Sequence, residues 1–162
     1  MSRAFVSEET TEANASQLPE RPIGSAPNLV TAHGLKLIHE EVERLQALLA
    51  RASADDPDRP RLARDLRYWK ARQASAKPVQ SPAGDADEVA FGTRVTIVHD
   101  GRTTTYQIVG EDEADPARGL LSWISPMAAA LMGGQVGDEV DIGGGRAPVT
   151  IQRVERRQGM KA

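Results

Sequence analysis

The first regular pattern along the chain is a stripe of apolar residues with helical spacing. Five residues recur at intervals of 3, 4, 3 and 4: Leu35, Ile38, Val42, Leu45 and Leu49. These intervals are typical of the a and d positions of a coiled coil. Thr31 precedes the stripe and suits an N-cap, because its hydroxyl can accept a backbone N–H of the first turn. The pattern predicts a helix from Thr31 to about Ala52.

A second and shorter apolar stripe follows a polar break. The break, residues 53–60, holds three aspartates and two prolines, residue types that favour turns. Pro60 suits the first position of a new helix, and Leu62, Leu66 and Trp69 continue the stripe. Two amphipathic helices joined by so short a loop predict an antiparallel coiled-coil hairpin over residues 29–77.

After a predicted linker at residues 78–88, the apolar pattern becomes that of strands. Residues 95–98 and 106–109 flank Asp100-Gly101, a dipeptide typical of tight β-hairpins. A third strand, a short helix and a closing hairpin follow, at residues 119–123, 126–132 and 140–151.

The fold class predicted from this order is α+β. The helical hairpin precedes a small, mainly antiparallel sheet with one short helix, at residues 89–156. Residues 1–28 are polar and contain three prolines, which predicts a disordered arm. Residues 157–162 are predicted to be a tail.

Composition limits the classes of protein that the chain can represent. It has 162 residues, of which 4% are aromatic, so its core is modest. The absence of cysteine excludes disulfides and thiol catalysis. No apolar run approaches the roughly 20 residues of a membrane span. We expect a cytoplasmic monomer that does not contact membranes.

Basic residues concentrate in the second helix, although the formal net charge is -3. The residues that can share part of one face are Arg61, Arg64, Lys70 and Arg72. One interpretation is a surface that contacts RNA phosphates or an acidic protein. The other is a solvated helix face, on which Asp65 pairs locally. The sequence leaves both open.

Other chemical signals favour structural interpretations. His33, His39 and His99 lack the spacing of metal ligands. Gly143-Gly144-Gly145 is not followed by the Lys-Ser/Thr of a phosphate loop, so a hairpin turn is expected. Phe91, Tyr106 and Trp123 are available for an aromatic pocket, but core packing is the simpler interpretation.

Several segments, taken together, resemble the GreA/GreB family of bacterial transcription elongation factors. Residues 29–35 are similar to the family's opening Val-Thr-x-x-Gly, and residues 62–72 to its Glu-Tyr…Ala-Arg stretch. The closest segments are Tyr106–Val109, Glu111–Glu113 and Ser125–Leu131. Because residues 18–23 are similar to extended members and the second helix is short, the chain is identified as a GreB-like member with a shortened hairpin.

The resemblance implies an FK506-binding-like C-terminal domain and a function in transcription. Such factors bind RNA polymerase at its secondary channel, close to nascent RNA and DNA, so Ser125, Pro126 and Met127 would contact the channel rim. The hairpin enters the channel, where acidic tip residues share Mg²⁺ with the polymerase. The polymerase then cleaves backtracked RNA. The resemblance therefore implies an accessory factor that releases arrested complexes, without enzymatic activity or a cofactor of its own.

The chain departs from the family pattern at the hairpin tip. If Tyr68 is the family's tyrosine, the acidic Asp-x-x-Glu spacing falls on Arg61 and Arg64, which repel Mg²⁺. The loop carboxylates Asp55, Asp56 and Asp58 can rebuild a metal site, or they can serve only turn formation and helix capping.

These departures leave two alternatives to a cleavage factor. One is a secondary-channel regulator that does not stimulate cleavage, which the short second helix favours. The other, more remote, is a peptidyl-prolyl isomerase.

The chain also departs from the family pattern next to the predicted rim contact. Ile124 stands where many family members have aspartate.

Overall fold

The computed structural model describes residues 18–80 and 86–156, which form two compact units. The first contains residues 18–25 and Ile38–Ala74. The second contains Ala26–Leu37 and the chain from Ser75 onward. Most of the predicted arm, part of the predicted linker and the predicted tail lie outside the described residues. No helix in the described ranges is long and apolar enough to cross a membrane.

Both predicted long helices are present. Helix α1 spans Ala32–Arg51 and helix α2 spans Arg59–Ser75, so α2 begins one residue before Pro60. In the first unit they pack through a cluster of buried side chains: Val42, Leu45, Leu62 and Leu66. Each such side chain contributes about 1.5–3 kcal/mol when fully buried.

Arg59 closes the loop between the helices. Its Nη1 donates hydrogen bonds to the carbonyl oxygens of Ala52 at 2.9 Å and Leu49 at 3.3 Å. Carbonyls at a helix C-terminus lack partners within the helix, and a cation is favourable there. The first residue of α2 therefore stabilises the end of α1.

The second unit contains two short paired strands, one before α1 in the chain and one after α2. Strand β1, Leu29–Val30, pairs in parallel with strand β2, Lys77–Pro78. The sequence pattern did not indicate either strand, because two residues are too few for periodicity. Residues 77 and 78, assigned to the ends of the hairpin and the linker, are thus part of a sheet.

The main sheet has five strands in the order β5-β4-β3-β7-β6. They are β3 at Thr93–His99, β4 at Arg102–Val109, β5 at Leu120–Ser122, β6 at Glu139–Val140 and β7 at Val149–Arg156. Helix α3 spans Pro126–Leu131. The predicted mixture of helices and sheet is confirmed. The sheet is antiparallel except where β5 pairs in parallel with β4.

Turn chemistry explains the β3–β4 hairpin. Asp100 and Gly101 have φ angles of 49° and 74°, and two positive φ angles define the type I′ turn that matches the twist of paired strands. On one face of the sheet, Val95, Ile108 and Ile151 are fully buried, in one core cluster with Leu131 of α3. They form the core on which α3 rests.

The C-terminal part of the predicted disordered arm is ordered. Asn28 is 4% exposed, its side-chain amide donates to Ser75 Oγ at 3.2 Å, and residues 20 and 21 contact α2. The sequence prediction rested on polar composition, which indicates disorder. Composition does not reveal these contacts, because they join residues 47 positions apart.

Candidate functional site

The loop between α1 and α2 carries the three predicted metal ligands. Asp55 and Asp58 are exposed and Asp56 is half-buried. Asp56 Oδ1 accepts the backbone N–H of Asp58 at 2.8 Å, and Asp58 Oδ1 lies 3.4 Å from Arg61 Nε. Two of the three carboxylates therefore also serve the turn and the start of α2, as the turn interpretation predicts.

Metal binding at this loop would need ligands from elsewhere. In the described part of the chain, no group of three or more His, Cys, Asp or Glu side chains is arranged to hold a metal ion. Mg²⁺ commonly takes only one or two protein carboxylates and completes its shell with water and substrate phosphate. The loop can supply that number of oxygens to a metal held by a partner.

Only part of the predicted basic face of α2 is exposed to solvent. Arg61 and Lys70 are exposed, whereas the Arg64 guanidinium binds Asp65 Oδ1 at 2.9 Å. The prediction is wrong for Arg72, whose side chain is 2% exposed. Helical spacing places residues on a face, but it does not show that a long side chain folds inward. Arg67, omitted from the prediction, is exposed.

Two residues before α1 contact this face of α2. Arg67 donates to both carboxylate oxygens of Glu20, with Nη2 2.6 Å from Oε1. The guanidinium of Arg21 lies 3.9 Å from the ring centre of Tyr68 and 5.7 Å from that of Trp69. The Arg67 hydrogen bond lowers the pKa of Glu20 below its ordinary value. The same bond raises the pKa of Arg67.

The predicted rim-contact residues form the start of α3. Ser125 Oγ accepts the backbone N–H of Ala128 at 3.3 Å, and Pro126 occupies the first turn. Both features fix the backbone, because proline restricts φ and the serine satisfies a free N–H. Ile124 is 45% exposed beside them. The turn therefore has a fixed backbone conformation and an exposed apolar side chain, that of Ile124.

A pocket of about 410 Å³ lies beside this turn, between α3 and the β3–β4 hairpin. Apolar side chains line one part of it, and an equal number of polar or charged side chains line the rest. The apolar ones are Ile97, Tyr106, Met127 and Val149, and the polar or charged ones are His99, Asp100, Arg102 and Thr104. Met127 therefore links the pocket to the predicted rim contact.

The pocket gives little support to a prolyl isomerase. Of the described residues that line it, Tyr106 is the one aromatic. Trp123 packs against the core of the second unit and Phe91 is 8% exposed. Tyr106 packs against the same core, so all three aromatics that such an activity would require are used in packing.

A buried carboxylate fixes the start of α1 in the second unit. Glu113 lies in a short 3-10 helix, Glu111–Glu113, and its side chain is 2% exposed. Thr31 Oγ1 donates to its Oε2, and His33 Nδ1 lies 3.0 Å from its Oε1. Thr31 Oγ1 also accepts the N–H of Gly34 at 2.9 Å, which confirms the predicted N-cap.

Comparison with known proteins gives one family. The model of the C-terminal part of the transcription elongation factors GreA and GreB matches residues 84–156. Transcription elongation factor GreA of Desulfovibrio desulfuricans is 37% identical over 89 residues, or 54% of this chain. That match spans about half of the relative, 55% of its length.

A second relative is matched almost completely. Transcription elongation factor GreA of Vibrio cholerae is 34% identical over 150 residues, which cover 78% of this chain and 96% of that protein. A solved structure of GreA/GreB from Nitrosomonas europaea is 23% identical, with 81% of this chain and 99% of that chain covered and a TM-score of 0.39. The assignment rests on the sequence matches, by which the chain belongs to the GreA/GreB family of transcription elongation factors.

Proposed function

We propose that this protein binds RNA polymerase at its secondary channel and promotes release of arrested complexes by stimulating the polymerase's own transcript cleavage. The observation that carries the proposal is the extent of the match to GreA of Vibrio cholerae, 96% of that protein. In this proposal the protein is an accessory factor, and the reaction takes place in the polymerase.

The turn at the start of α3 is the proposed contact with the channel rim. Its backbone is held by the Ser125 cap and by Pro126, so little conformational entropy is lost on binding. Exposed Ile124 and half-buried Met127 offer apolar area next to the pocket. An apolar anchor that enters a pocket is the kind of contact on which interfaces depend most.

The helices are proposed to form an antiparallel coiled coil that carries the loop into the channel. Helix α1 has 20 residues, a length of about 30 Å at 1.5 Å per residue. Asp55, Asp56 and Asp58 would then supply carboxylate oxygens to Mg²⁺ held mainly by the polymerase. Two-metal sites stabilise the attacking and leaving oxygens of phosphodiester hydrolysis.

A regulator that occupies the channel without stimulating cleavage is the second candidate, and one contact favours it. Asp58 pairs with Arg61, and this guanidinium would lie near any metal at the loop. A cation close to Mg²⁺ weakens metal binding by electrostatic repulsion. The protein would then occupy the channel without accelerating RNA cleavage by the polymerase.

Backtracked elongation complexes separate the two candidates. Wild-type protein should bind these complexes and accelerate RNA cleavage, whereas a variant with Asp55, Asp56 and Asp58 replaced by Asn should bind but not accelerate it. Glu43→Gln, a charge change on exposed α1 surface, is the control. Tight wild-type binding without cleavage would favour the regulator. Absence of binding would refute both candidates.

A further inference from the structure

The β3–β4 hairpin carries two kinds of side chain on the face that it turns towards the core. In the middle of the sheet this face is apolar, and Val95 and Ile108 are fully buried there. Towards the turn the face becomes polar, since Arg102 and Thr104 lie on the same side of β4 as Ile108 and are exposed. The pocket of about 410 Å³ lies where the apolar side chains give way to the polar ones.

The register of the two strands brings the polar side chains together. His99 is opposite Arg102, and Ile97 is opposite Thr104. Side chains that face each other across antiparallel strands have Cβ atoms about 5 Å apart, and those two residues apart on one strand are about 7 Å apart. Tyr106, the next residue on this side of β4, also lines the pocket. A guanidinium, an imidazole and two hydroxyls therefore surround one cavity.

One of these groups is buried without a partner. Nε2 of His99 has no hydrogen-bond partner among the residues that the structure describes. Asp100 Oδ2 lies 3.6 Å away, which is too far for a hydrogen bond. A histidine ring nitrogen that carries a proton is a donor, and a buried donor without an acceptor is unfavourable. An acceptor atom bound in the pocket would satisfy it.

The donors and the apolar walls together define the chemistry of a ligand. The guanidinium of Arg102 has the fork geometry that binds both oxygens of a carboxylate. The hydroxyls of Thr104 and Tyr106 can donate to the same group. Met127 and the ring of Tyr106 provide apolar surface in the same pocket. A carboxylate with a small apolar body matches both parts, and a cavity of this size suits a small molecule.

We infer that this pocket is a binding site for a small organic acid, which has a carboxylate and an aromatic or aliphatic body. The polar side chains of the hairpin bind the carboxylate, and Met127 and Tyr106 contact the body. Of the described residues that line the pocket, Asp100 alone is acidic and repels the ligand. Its side chain is 72% exposed, so water and salt screen the repulsion. The inference goes beyond the proposed function and does not depend on it.

Titration of the whole chain with phenylacetate tests the site without polymerase. The carboxylate is ionised at neutral pH, and the backbone amide signals of the hairpin are followed by NMR. We expect saturable shifts at residues 97–106 with a Kd of about 1 mM, the strength expected of so small a ligand. Phenylacetamide, a neutral molecule of similar shape, should bind about tenfold more weakly. Absence of saturable shifts, or equal binding of the amide, refutes the proposal.

The central variant is Arg102→Gln, which should weaken phenylacetate binding about tenfold by removing charge-assisted hydrogen bonds. The matched control is Arg94→Gln. Arg94 is also exposed, but it lies on the other face of the sheet from Val95. The same loss of charge at that distance should change the Kd by less than about twofold. Equal weakening by both variants would show a general charge effect and would overturn the proposal, as would unchanged binding to Arg102→Gln.

A pair of threonine variants keeps the test decisive if Arg102→Gln fails to fold. Thr104→Val preserves size and strand preference but removes a hydroxyl, so it should weaken binding about threefold. Thr103→Val makes the same change on the other face of β4 and should leave the Kd unchanged. Equal effects of the two substitutions would contradict the proposed site.

Asp100→Asn should act in the opposite direction. It removes the repelling charge, and Asn-Gly still forms the type I′ turn. Phenylacetate should therefore bind about twofold more tightly. Weaker binding to this variant would show that the pocket does not select an anion.

A carboxylate on a partner protein is the other source of the same chemistry. Affinity for core polymerase is therefore measured with the same Arg102→Gln and Arg94→Gln variants. Weaker polymerase binding by Arg102→Gln alone, in a protein that does not bind phenylacetate, would assign the carboxylate to the partner and overturn the small-acid site. Failure of the wild type to bind polymerase affects the proposed function only.

Discussion

The hydroxyl of Thr31 donates a 2.5 Å hydrogen bond to Oε2 of Glu113, a residue 82 positions later in the chain. The same hydroxyl oxygen accepts the N–H of Gly34 in the first turn of α1. One side chain thus caps a helix and binds it to the 3-10 helix Glu111–Glu113. Since the Glu113 side chain is buried, these bonds are shielded from water.

A double-mutant cycle should show that the two residues are coupled. Thr31→Ala and Glu113→Ala should each lower the free energy of unfolding by about 1–3 kcal/mol, because a buried polar partner loses its hydrogen bond. Combined, they should cost less than the sum, with a coupling of about 1–2 kcal/mol. Urea denaturation of the four proteins measures this. Simple additivity would show that the bond contributes nothing.

Gly34→Ala should be destabilising, although alanine is normally the better helix former by about 1 kcal/mol. A Cβ at this position would lie 2.7 Å from Glu113 Oε2, so the carboxylate would have to leave Thr31 and His33. In the Glu113→Ala background the same change should be stabilising. Thermal unfolding of both pairs checks the reversal, and equal signs in the two backgrounds would contradict it.

Replacing Ser125 and Pro126 together by Ala should weaken binding to core RNA polymerase about tenfold, which corresponds to roughly 1.4 kcal/mol. The substitutions remove the cap and the φ restraint that preset the turn. Val136→Ala changes an apolar residue that is 53% exposed in the same unit and serves as the control. Unchanged affinity, with a native circular dichroism spectrum, would place the rim contact elsewhere.

Acid should weaken the contact between Glu20 and α2. The Arg67 hydrogen bond lowers the pKa of Glu20 from 4.5, so its contribution is present above pH 4.5 and is lost as the pH falls through the lowered pKa. Titration of the Glu20 carboxyl carbon by NMR measures this directly. In Arg67→Gln the pKa should return towards its ordinary value. Identical titration curves would mean that the pair does not form in solution.

Local patterns predicted the two long helices and the β3–β4 hairpin well, for physical reasons. The 3-4 spacing that placed Ile38 and Leu45 in one stripe is the geometry of a helix face, and both are buried. Asp100-Gly101 predicted its turn because few other dipeptides accept two positive φ angles. In such segments the residues that determine the local structure lie close together in the sequence.

Features that depend on distant partners could not be predicted in this way. No local pattern indicated that Glu113 is buried, because its burial depends on Thr31 and His33, 82 and 80 positions earlier. Arg72 was assigned to an exposed face from helical spacing alone, yet it is buried. The direction of β5 follows from its connection to β4 rather than from its three residues.

The pairing of β1 with β2 makes the helical segment an exchangeable cassette. Backbone hydrogen bonds from Lys77 to Asn28 and from Val79 to Val30, 2.8 and 2.9 Å long, hold its entry and exit side by side. Helices of another length can be inserted between these points without altering the attachment to the second unit. Closing a longer insertion costs little, about 0.6 kcal/mol per doubling for a flexible segment. Evolution, or a chimera with a relative that has longer helices, can thus change the length of the helical segment while the sheet stays the same.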